Sequence, residues 1–380
     1  MDRLGVLFLT NYLPVGGFET HLLYIVRELD RRAFHPVVCT LKAGGPLEAE
    51  FRAAGVPVYS RVQRGRLDPF GVLRLARIMR RERIHLLDVD LQRNTVLIGA
   101  LAAWLAGVPA AVISAHSFEH MNRERVVEWP ARVSLGRIDR VIALFEAHRE
   151  KLVSEGVDRG KVILRPNGVD TDAFRPGPEP EPLRRTLDIP AGAPVAGIVA
   201  SLVPLKAHEV FLDVAARVLR EHPDAHFLVV GEGPERPRLE ENARRAGLQD
   251  AVHFLGQRRD LADLFRLMDV AVLTSLWECF PISILEAMAC GIPTVTTRVG
   301  ALPDMAVEGE TGFLLEVGDT EGLAGALTRL MGDPDLHRRM GNEARRRVEE
   351  HFSIEKIVRE REDLYRRLVE EKLAGRTRTA

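Results

Sequence analysis

Glu278 and Glu286 lie eight positions apart in the run Ser275-Leu-Trp-Glu-Cys-Phe-Pro-Ile-Ser-Ile-Leu-Glu-Ala-Met-Ala-Cys-Gly-Ile-Pro293. Phe280-Pro281-Ile282 reads as a turn, and Ile284 to Ala289 as a strong helix former that stops at Gly291. Glu286 is therefore expected inside the helix and Glu278 on the loop before its N-terminus. A helix N-terminus offers unpaired backbone N–H groups and the positive end of a dipole, which suits a diphosphate. One carboxylate behind that anion and one in front could hold hydroxyl-rich groups on either side, as a nucleotide ribose and a sugar would require.

Other residues carry chemistry of their own. Gly16-Gly17 falls between a first strand and a helix starting near Phe18, where glycine permits positive φ and close approach of backbone to ligand. The spelling is not G-x-G-x-x-G, so no dinucleotide site is indicated. His116 follows a buried strand, at its carboxyl end, and Lys206 follows another strand and a short loop. Asp88-Val-Asp90 and Asp170-Thr-Asp172 both spell D-x-D, a pattern weak enough to occur twice in one chain, and neither predicts a metal site. Cys39, Cys279 and Cys290 show no metal-ligand spacing and are odd in number, as in a protein of the reducing cytoplasm. From Arg61 to His85 the chain sets Arg61, Arg64, Arg66, Arg74, Arg77, Arg80, Arg81 and Arg83 against only Asp68 and Glu82. One reading is a helix with Val72, Leu73, Leu75, Ile78 and Met79 as a core stripe and a solvated arginine face. The other is contact with an anionic membrane surface or a phosphorylated acceptor.

The elements that must position these residues are those of a two-domain enzyme. A chain of 380 residues is too long for one ordinary core, and its formal net charge of -1 argues against a nucleic-acid binder. Strand-like runs alternate with helical patterns in both halves, which predicts parallel α/β layers. Strands are expected at 5–10, 36–40, 86–89, 110–114 and 140–144, then at 195–200, 225–230, 252–255, 270–274 and 294–296. The proline-rich stretch 175–182 reads as the linker. The 18 uncharged residues from Val96 to Ile113 reach the length of a membrane span. Gly107, Pro109 and the alanines favour instead a buried helix ending near Ala106 and a strand from Ala110 to Ser114. The N-terminal run leads straight into a strand pattern and lacks the apolar region and cleavage site of a secretory signal.

The Glu278–Glu286 segment resembles the E-x7-E signature of retaining glycosyltransferases of the GT4 family, which have the GT-B fold. Matching stretches follow the same order: Gly16-Gly17, His116 in Ser-Ala-His-Ser, and Arg165-Pro-Asn-Gly-Val-Asp170. Then come Lys206, Val230-Gly-Glu-Gly-Pro234, Phe254-Leu-Gly256, Val299-Gly-Ala-Leu-Pro-Asp304 and Gly309-Glu-Thr-Gly312. The resemblance implies two doubly wound Rossmann-like domains facing across a cleft. They would be an acceptor domain at 1–175, a donor domain at 176–353 and a C-terminal helix at 354–380 packing partly back on the first. It implies transfer of a sugar from a nucleotide diphosphate sugar to a hydroxyl acceptor, with no metal or other cofactor, in the cytoplasm or on the inner face of the cell membrane. Glu286 would hold the ribose and Glu278 the donor sugar. The Phe280, Ile282 and Ser283 amides around Pro281 would meet sugar and phosphate. His116 would bond a sugar hydroxyl, Lys206 would meet the diphosphate, and Gly16 and Gly17 would face donor and acceptor. Asn167-Gly168 reads as a structural turn at the domain junction. Two departures stand out: Ser201 where many relatives carry an arginine on the diphosphate, and Leu144-Phe145 where they carry Val-Ser. A nucleotide-sugar epimerase or phosphorylase of related fold, and a catalytically silent binding module, remain as alternatives.

Overall fold

Strand β1 (Leu4–Thr10) is apolar on both faces, as a strand inside a parallel sheet must be. Val6 and Phe8 enter one cluster with Phe34, Val38, Leu86 and Val112, while Leu7 and Leu9 enter the other with Val37, Leu87, Val89 and Ile113. The computed structural model describes residues 3–65, 68, 70–116 and 135–377. It forms two compact units, Met1–Gly168 with Ile354–Ala380, and Val169–Ser353.

In the first unit β1 joins β2 (Phe34–Thr40), β3 (Val58–Tyr59), β4 (Ile84–Asp90), β5 (Ala110–Ser114), β6 (Arg140–Ala143) and β7 (Val162–Leu164). The sheet is parallel, in the order β3-β2-β1-β4-β5-β6-β7. The second unit has β8 (Val195–Val199), β9 (His226–Val230), β10 (Val252–Gly256), β11 (Val270–Leu273), β12 (Thr294–Thr297) and β13 (Gly312–Leu315). Their order is β10-β9-β8-β11-β12-β13, again parallel. Strand order reverses between β1 and β4 in one sheet and between β8 and β11 in the other. Loops leaving the carboxyl ends part at such a point and leave a crevice for ligands. All ten expected strands form. The three not foreseen, β3, β7 and β13, are edge strands of two to four residues, too short to show a period.

The expected linker is a correction. The division falls between Gly168 and Val169, so the proline-rich stretch lies inside the second unit. Arg345 donates to the carbonyls of Thr171 and Phe174 at 3.0 and 2.7 Å, and the Phe174 ring meets Phe265 edge-on. These contacts hold the residues just before the stretch, and Arg266 Nε donates to the Arg175 carbonyl at its start at 3.0 Å. The C-terminal helix Ile354–Thr377 returns to the first unit, where Ile354, Val358, Leu364, Tyr365, Leu368 and Val369 cover the Val6–Phe8 face.

The apolar run 96–113 folds as foreseen, into helix Arg93–Ala106, Gly107 at φ 76° and β5. Among the described residues no helix is long and apolar enough to cross a membrane. Helix Gly71–Arg81 departs from expectation. Leu75, Ala76 and Met79 are buried, but Leu73 is 50% exposed and shares its face with Arg77, because the helical turn carries position 73 outward.

A buried ion pair fastens the last helix to the sheet. Leu86 and Asp88 alternate onto the face that this helix covers, and Arg361 Nη1 donates to Asp88 Oδ2 at 3.0 Å and to Ser114 Oγ at 3.2 Å. The Tyr365 hydroxyl donates to the same carboxylate. Arg361→Met would leave the Asp88 carboxylate buried without its cation, at a cost of about 3–5 kcal/mol. Urea unfolding of this variant should show that loss, and Arg361→Met/Asp88→Leu should recover part of it. An unchanged midpoint in the single variant would contradict the account.

Candidate functional site

In the second unit the site is built on the loops after β8 and β11. The Glu278 carboxylate is 5% exposed and must be met by donors. Lys206 Nζ donates to its Oε1 at 2.5 Å, and Ser275 Oγ donates to the same oxygen at 2.6 Å. The two loops are laced together so that these groups meet. Leu276 N–H donates to Leu205 O at 2.9 Å, Thr274 Oγ1 to Ala207 O at 3.0 Å, and Thr297 Oγ1 to Ser275 O at 2.6 Å. Ala207 takes a left-handed φ of 45°, an uncommon conformation for a residue with a Cβ. Gly300, at φ 55°, explains the Val-Gly-Ala-Leu-Pro-Asp motif: a Cβ there would lie 1.7 Å from the Glu278 carbonyl oxygen. Gly231 does the same for the other loop, since its Cβ would lie 2.0 Å from Ala200 O.

Helix Ile282–Ala289 follows directly. Pro281 stands at its N-cap in extended conformation, no side chain caps the first turn, and no acidic residue lies there. That end is therefore electropositive. Glu286 is buried within the helix, Phe280 packs edge-on against Phe352, and Gly291 ends the segment at φ 77°. Ser201 is exposed just after β8. Burial, and then the Glu278 charge, push the Cys279 thiol up, so it does not serve as a thiolate.

In the first unit the polar groups gather at the carboxyl ends of β1, β4 and β5. Asp90 is buried, accepts Gln92 Nε2 at 2.5 Å, and has its carboxyl pushed up to about 8 by burial first and then by the charge of Glu19. Glu19 is itself raised by burial to about 7. Among the described residues, Thr10 Oγ1, Asn11 Oδ1 and Asp90 Oδ1 are buried without a hydrogen-bond partner. Such atoms suit a hydroxyl-rich ligand. His116 is buried near Phe18 and His21, at ring-centroid distances of 4.7 and 5.6 Å. Burial, reinforced by His21, holds it well below the ordinary histidine range, so it is a neutral imidazole.

One detail corrects the sequence reading, and a second concerns the departure at 144–145. Gly16 is extended, at φ −148°, and not left-handed; a Cβ there would lie 2.7 Å from Glu19 Oε2, the end of a side chain that can turn aside. Phe145 packs against His148 and is buried. His21 was not foreseen. It sits within a helix pattern as an ordinary polar residue, yet its Nε2 accepts the Gly168 N–H at 3.0 Å. That bond fixes Gly168 at the boundary of the first unit, although residues 167 and 168 form no turn.

Residues 180–347 match the family described as Glycosyl transferases group 1, and residues 15–173 the one described as Glycosyltransferase Family 4. A D-inositol 3-phosphate glycosyltransferase of Kineococcus radiotolerans is 31% identical over 321 residues, 76% of this chain and 73% of that protein. The chain belongs to glycosyltransferase family 4. An N-acetyl-alpha-D-glucosaminyl L-malate synthase of Bacillus anthracis is 44% identical over 142 residues, so the match spans 37% of each of the two proteins. The fold is GT-B: the Anabaena protein HepE, in complex with UDP and glucose, superposes with a TM-score of 0.84 at 23% identity, over 95% of this chain and 99% of that one.

Among the expected site residues of this family 4 chain, Ser201, Lys206, Glu278, Phe280, Pro281, Ile282, Ser283 and Glu286 all belong to the second unit. Gly16, Gly17 and His116 belong to the first. Neither D-x-D pair forms a metal cluster. Asp88 is paired with Arg361, and Asp170 Oδ1 accepts the Asp172 and Ala173 N–H groups at 3.0 and 2.8 Å. Among the described residues no group of three His, Cys, Asp or Glu could hold a metal ion.

The raised Asp90 carboxyl has a consequence for stability. Above pH 3.8 the unfolded chain releases this proton, whereas the folded chain keeps it until about pH 8. Stability therefore falls as pH rises through that window. Asp90→Asn should flatten the fall and raise the thermal midpoint at pH 8. A pH profile identical to wild type would contradict the assignment.

Proposed function

We propose that the chain transfers a sugar, with retention of configuration, from a nucleotide diphosphate sugar to a hydroxyl acceptor. The observation that carries this reading is the Lys206–Glu278 pair beside the uncapped N-terminus of helix Ile282–Ala289. A departing diphosphate gains negative charge, and a pre-organised cation and helix end stabilise that charge more in the transition state than in the ground state. Glu278 is the group for the sugar and Glu286 for the ribose. Glu278 already spends one oxygen on Lys206 and Ser275, which fits a positioning and charge-stabilising role better than a covalent one. Membership of a transferase family disfavours the epimerase and phosphorylase alternatives. UDP-sugars are the first donors to test, since the fold neighbour HepE is named with UDP and glucose.

Nucleotide release from a panel of nucleotide sugars, with and without acceptor, tests the activity; no release from any donor would favour the silent module. Lys206→Ala should lower kcat/KM by on the order of 10²–10³. Glu278→Gln leaves the Lys206 ammonium free for the diphosphate, so it should lower kcat while UDP affinity holds or rises. Glu286→Ala should lose UDP affinity. Equal loss of UDP affinity in both glutamate variants would overturn the division of roles. Turnover abolished by EDTA and restored by manganese, or an inverted linkage by NMR, would contradict the mechanism.

A peripheral place on an anionic membrane is a second, finer part of this reading. Phe70 (62% exposed), Leu73 (50%) and Arg77 follow one another at helical spacing on one face, and exposed Arg80 and Arg81 continue it. Trp104, 62% exposed, stands on helix Arg93–Ala106, which packs against Gly71–Arg81, with the Arg137 guanidinium 4.9 Å above its ring. Aromatic and aliphatic side chains among arginines fit an anionic lipid surface. Sedimentation with phosphatidylglycerol vesicles should fall with salt and be lost in Arg77→Glu/Arg80→Glu/Arg81→Glu. Absence of sedimentation at low salt would reduce the patch to a solvated face.

A further inference from the structure

Strand register brings two carboxyl groups together in the first unit. Val6, Phe8 and Thr10 alternate onto one face of β1, as Leu86, Asp88 and Asp90 do on β4. Leu9 pairs with Val89, so Thr10 and Asp90, the next residues, stand side by side at the strand ends. Helix Gly17–Glu28 packs Leu22, Ile25 and Val26 on that face and carries Glu19 in its first turn. Thr10 and Asp90 are each 1% exposed. Glu19, and Asp88 on the same strand, act on Asp90 with charge of its own sign. Asp88 is held by Arg361, whereas among the described residues neither Glu19 nor Asp90 has an ion-pair partner within 4.0 Å.

The polar network beside them leaves acceptors over. Asn11 Nδ2 donates to Gln92 Oε1, and Gln92 Nε2 donates to Asp90 Oδ2 at 2.5 Å. The Thr95 hydroxyl is spent on the Asp90 carbonyl at 2.7 Å. Among the described residues, Asn11 Oδ1, Asp90 Oδ1 and Thr10 Oγ1 remain buried without a partner. Once Asp90 is ionised, the first two can only accept, and the threonine hydroxyl can do either. A ligand that satisfies them must bring several donors to one spot. A protonated primary amine brings three N–H groups, no lone pair and a positive charge. A hydroxyl brings one donor and no charge for the two carboxyls.

We infer that this crevice binds a protonated primary amine of the acceptor, held by Asp90 and Glu19 with Asn11 and Thr10 completing its hydrogen bonds. Resting on the glycosyltransferase reading, it narrows the acceptor to an amino alcohol or an amino sugar. In the free protein a proton neutralises Asp90 up to about pH 8, and the ammonium takes that proton's place. Binding therefore releases a proton, and affinity rises with pH until the carboxyl ionises by itself. A neutral polyol gains nothing from that ionisation.

The test titrates the protein with serinol, N-acetylserinol and glycerol, which share one carbon frame and differ at the central group, and reads binding by ligand-observed NMR. Serinol should bind about tenfold or more tighter than the two neutral compounds. Its affinity should rise on the order of tenfold from pH 6 to pH 8. Asp90→Asn should abolish both the preference and the pH dependence, and Glu19→Gln should weaken serinol binding. The thermal midpoint of Asp90→Asn, expected to rise at pH 8, shows that this variant is folded. Serinol bound no better than glycerol, or as well by Asp90→Asn as by wild type, would overturn the inference. Displacement of serinol by an equal concentration of potassium would mean a site for any cation and would overturn it too. No donor is present in these titrations, so they decide the crevice by themselves. A failure to turn over any nucleotide sugar would count against the transferase reading alone.

Discussion

A carboxylate taken out of water must be met by a cation or by several donors, and the second unit is arranged around one such carboxylate, Glu278. Its partner Lys206 comes from a different loop, so two loops must be held in register at the carboxyl edge of the sheet. The lacing from Leu276 to Leu205 and from Thr274 to Ala207 does this, while Thr297 of β12 steadies Ser275. Gly300 and Gly231 then stand where any side chain would strike the loop carbonyls. These two glycines thus belong to the loop geometry that brings the charged pair together. The donor site proposed above rests on this loop set, which holds a lysine beside a carboxylate next to an electropositive helix end.

The first unit shows what happens when two carboxylates leave one strand on the same face. Asp88 meets Arg361 and Tyr365 from the C-terminal helix and is held as a charged anchor. Asp90, two residues on and at the strand end, accepts Gln92; burial pushes its carboxyl up, and it keeps its proton. The same residue type therefore serves once as a structural tie and once as a poised polar group in the crevice. The anchor also explains why the chain crosses back: without Ile354–Thr377, the Val6–Phe8 face of the sheet and Asp88 would lie open.

Much of this was legible because it is local. Strand alternation, the glycine-ended helix at 282–291 and the loop positions of Glu278 and Lys206 are written within a few residues each. What the sequence could not show depends on partners far away. The Arg361–Asp88 pair joins positions 273 residues apart, and His21 reaches Gly168 across 147. Leu73 counted as core by composition and turned outward because the burial face of its helix is set by packing. The prolines at 175–182 suggested a linker, but the segment lies inside the second unit, where Arg266 Nε donates to Arg175 O. The acidic crevice of Glu19 and Asp90 gave no signal, since burial pushes both carboxyls up and the charge of Glu19 pushes Asp90 further.

The central claim is that the second unit receives a nucleoside diphosphate between Lys206 and the start of helix Ile282–Ala289. A structure of the protein with UDP tests it most directly. The account predicts the terminal phosphate within hydrogen-bond distance of Lys206 Nζ and of the Ile282 or Ser283 N–H, with the ribose hydroxyls on Glu286. A nucleotide seated elsewhere, with Lys206 still bound only to Glu278, would contradict it.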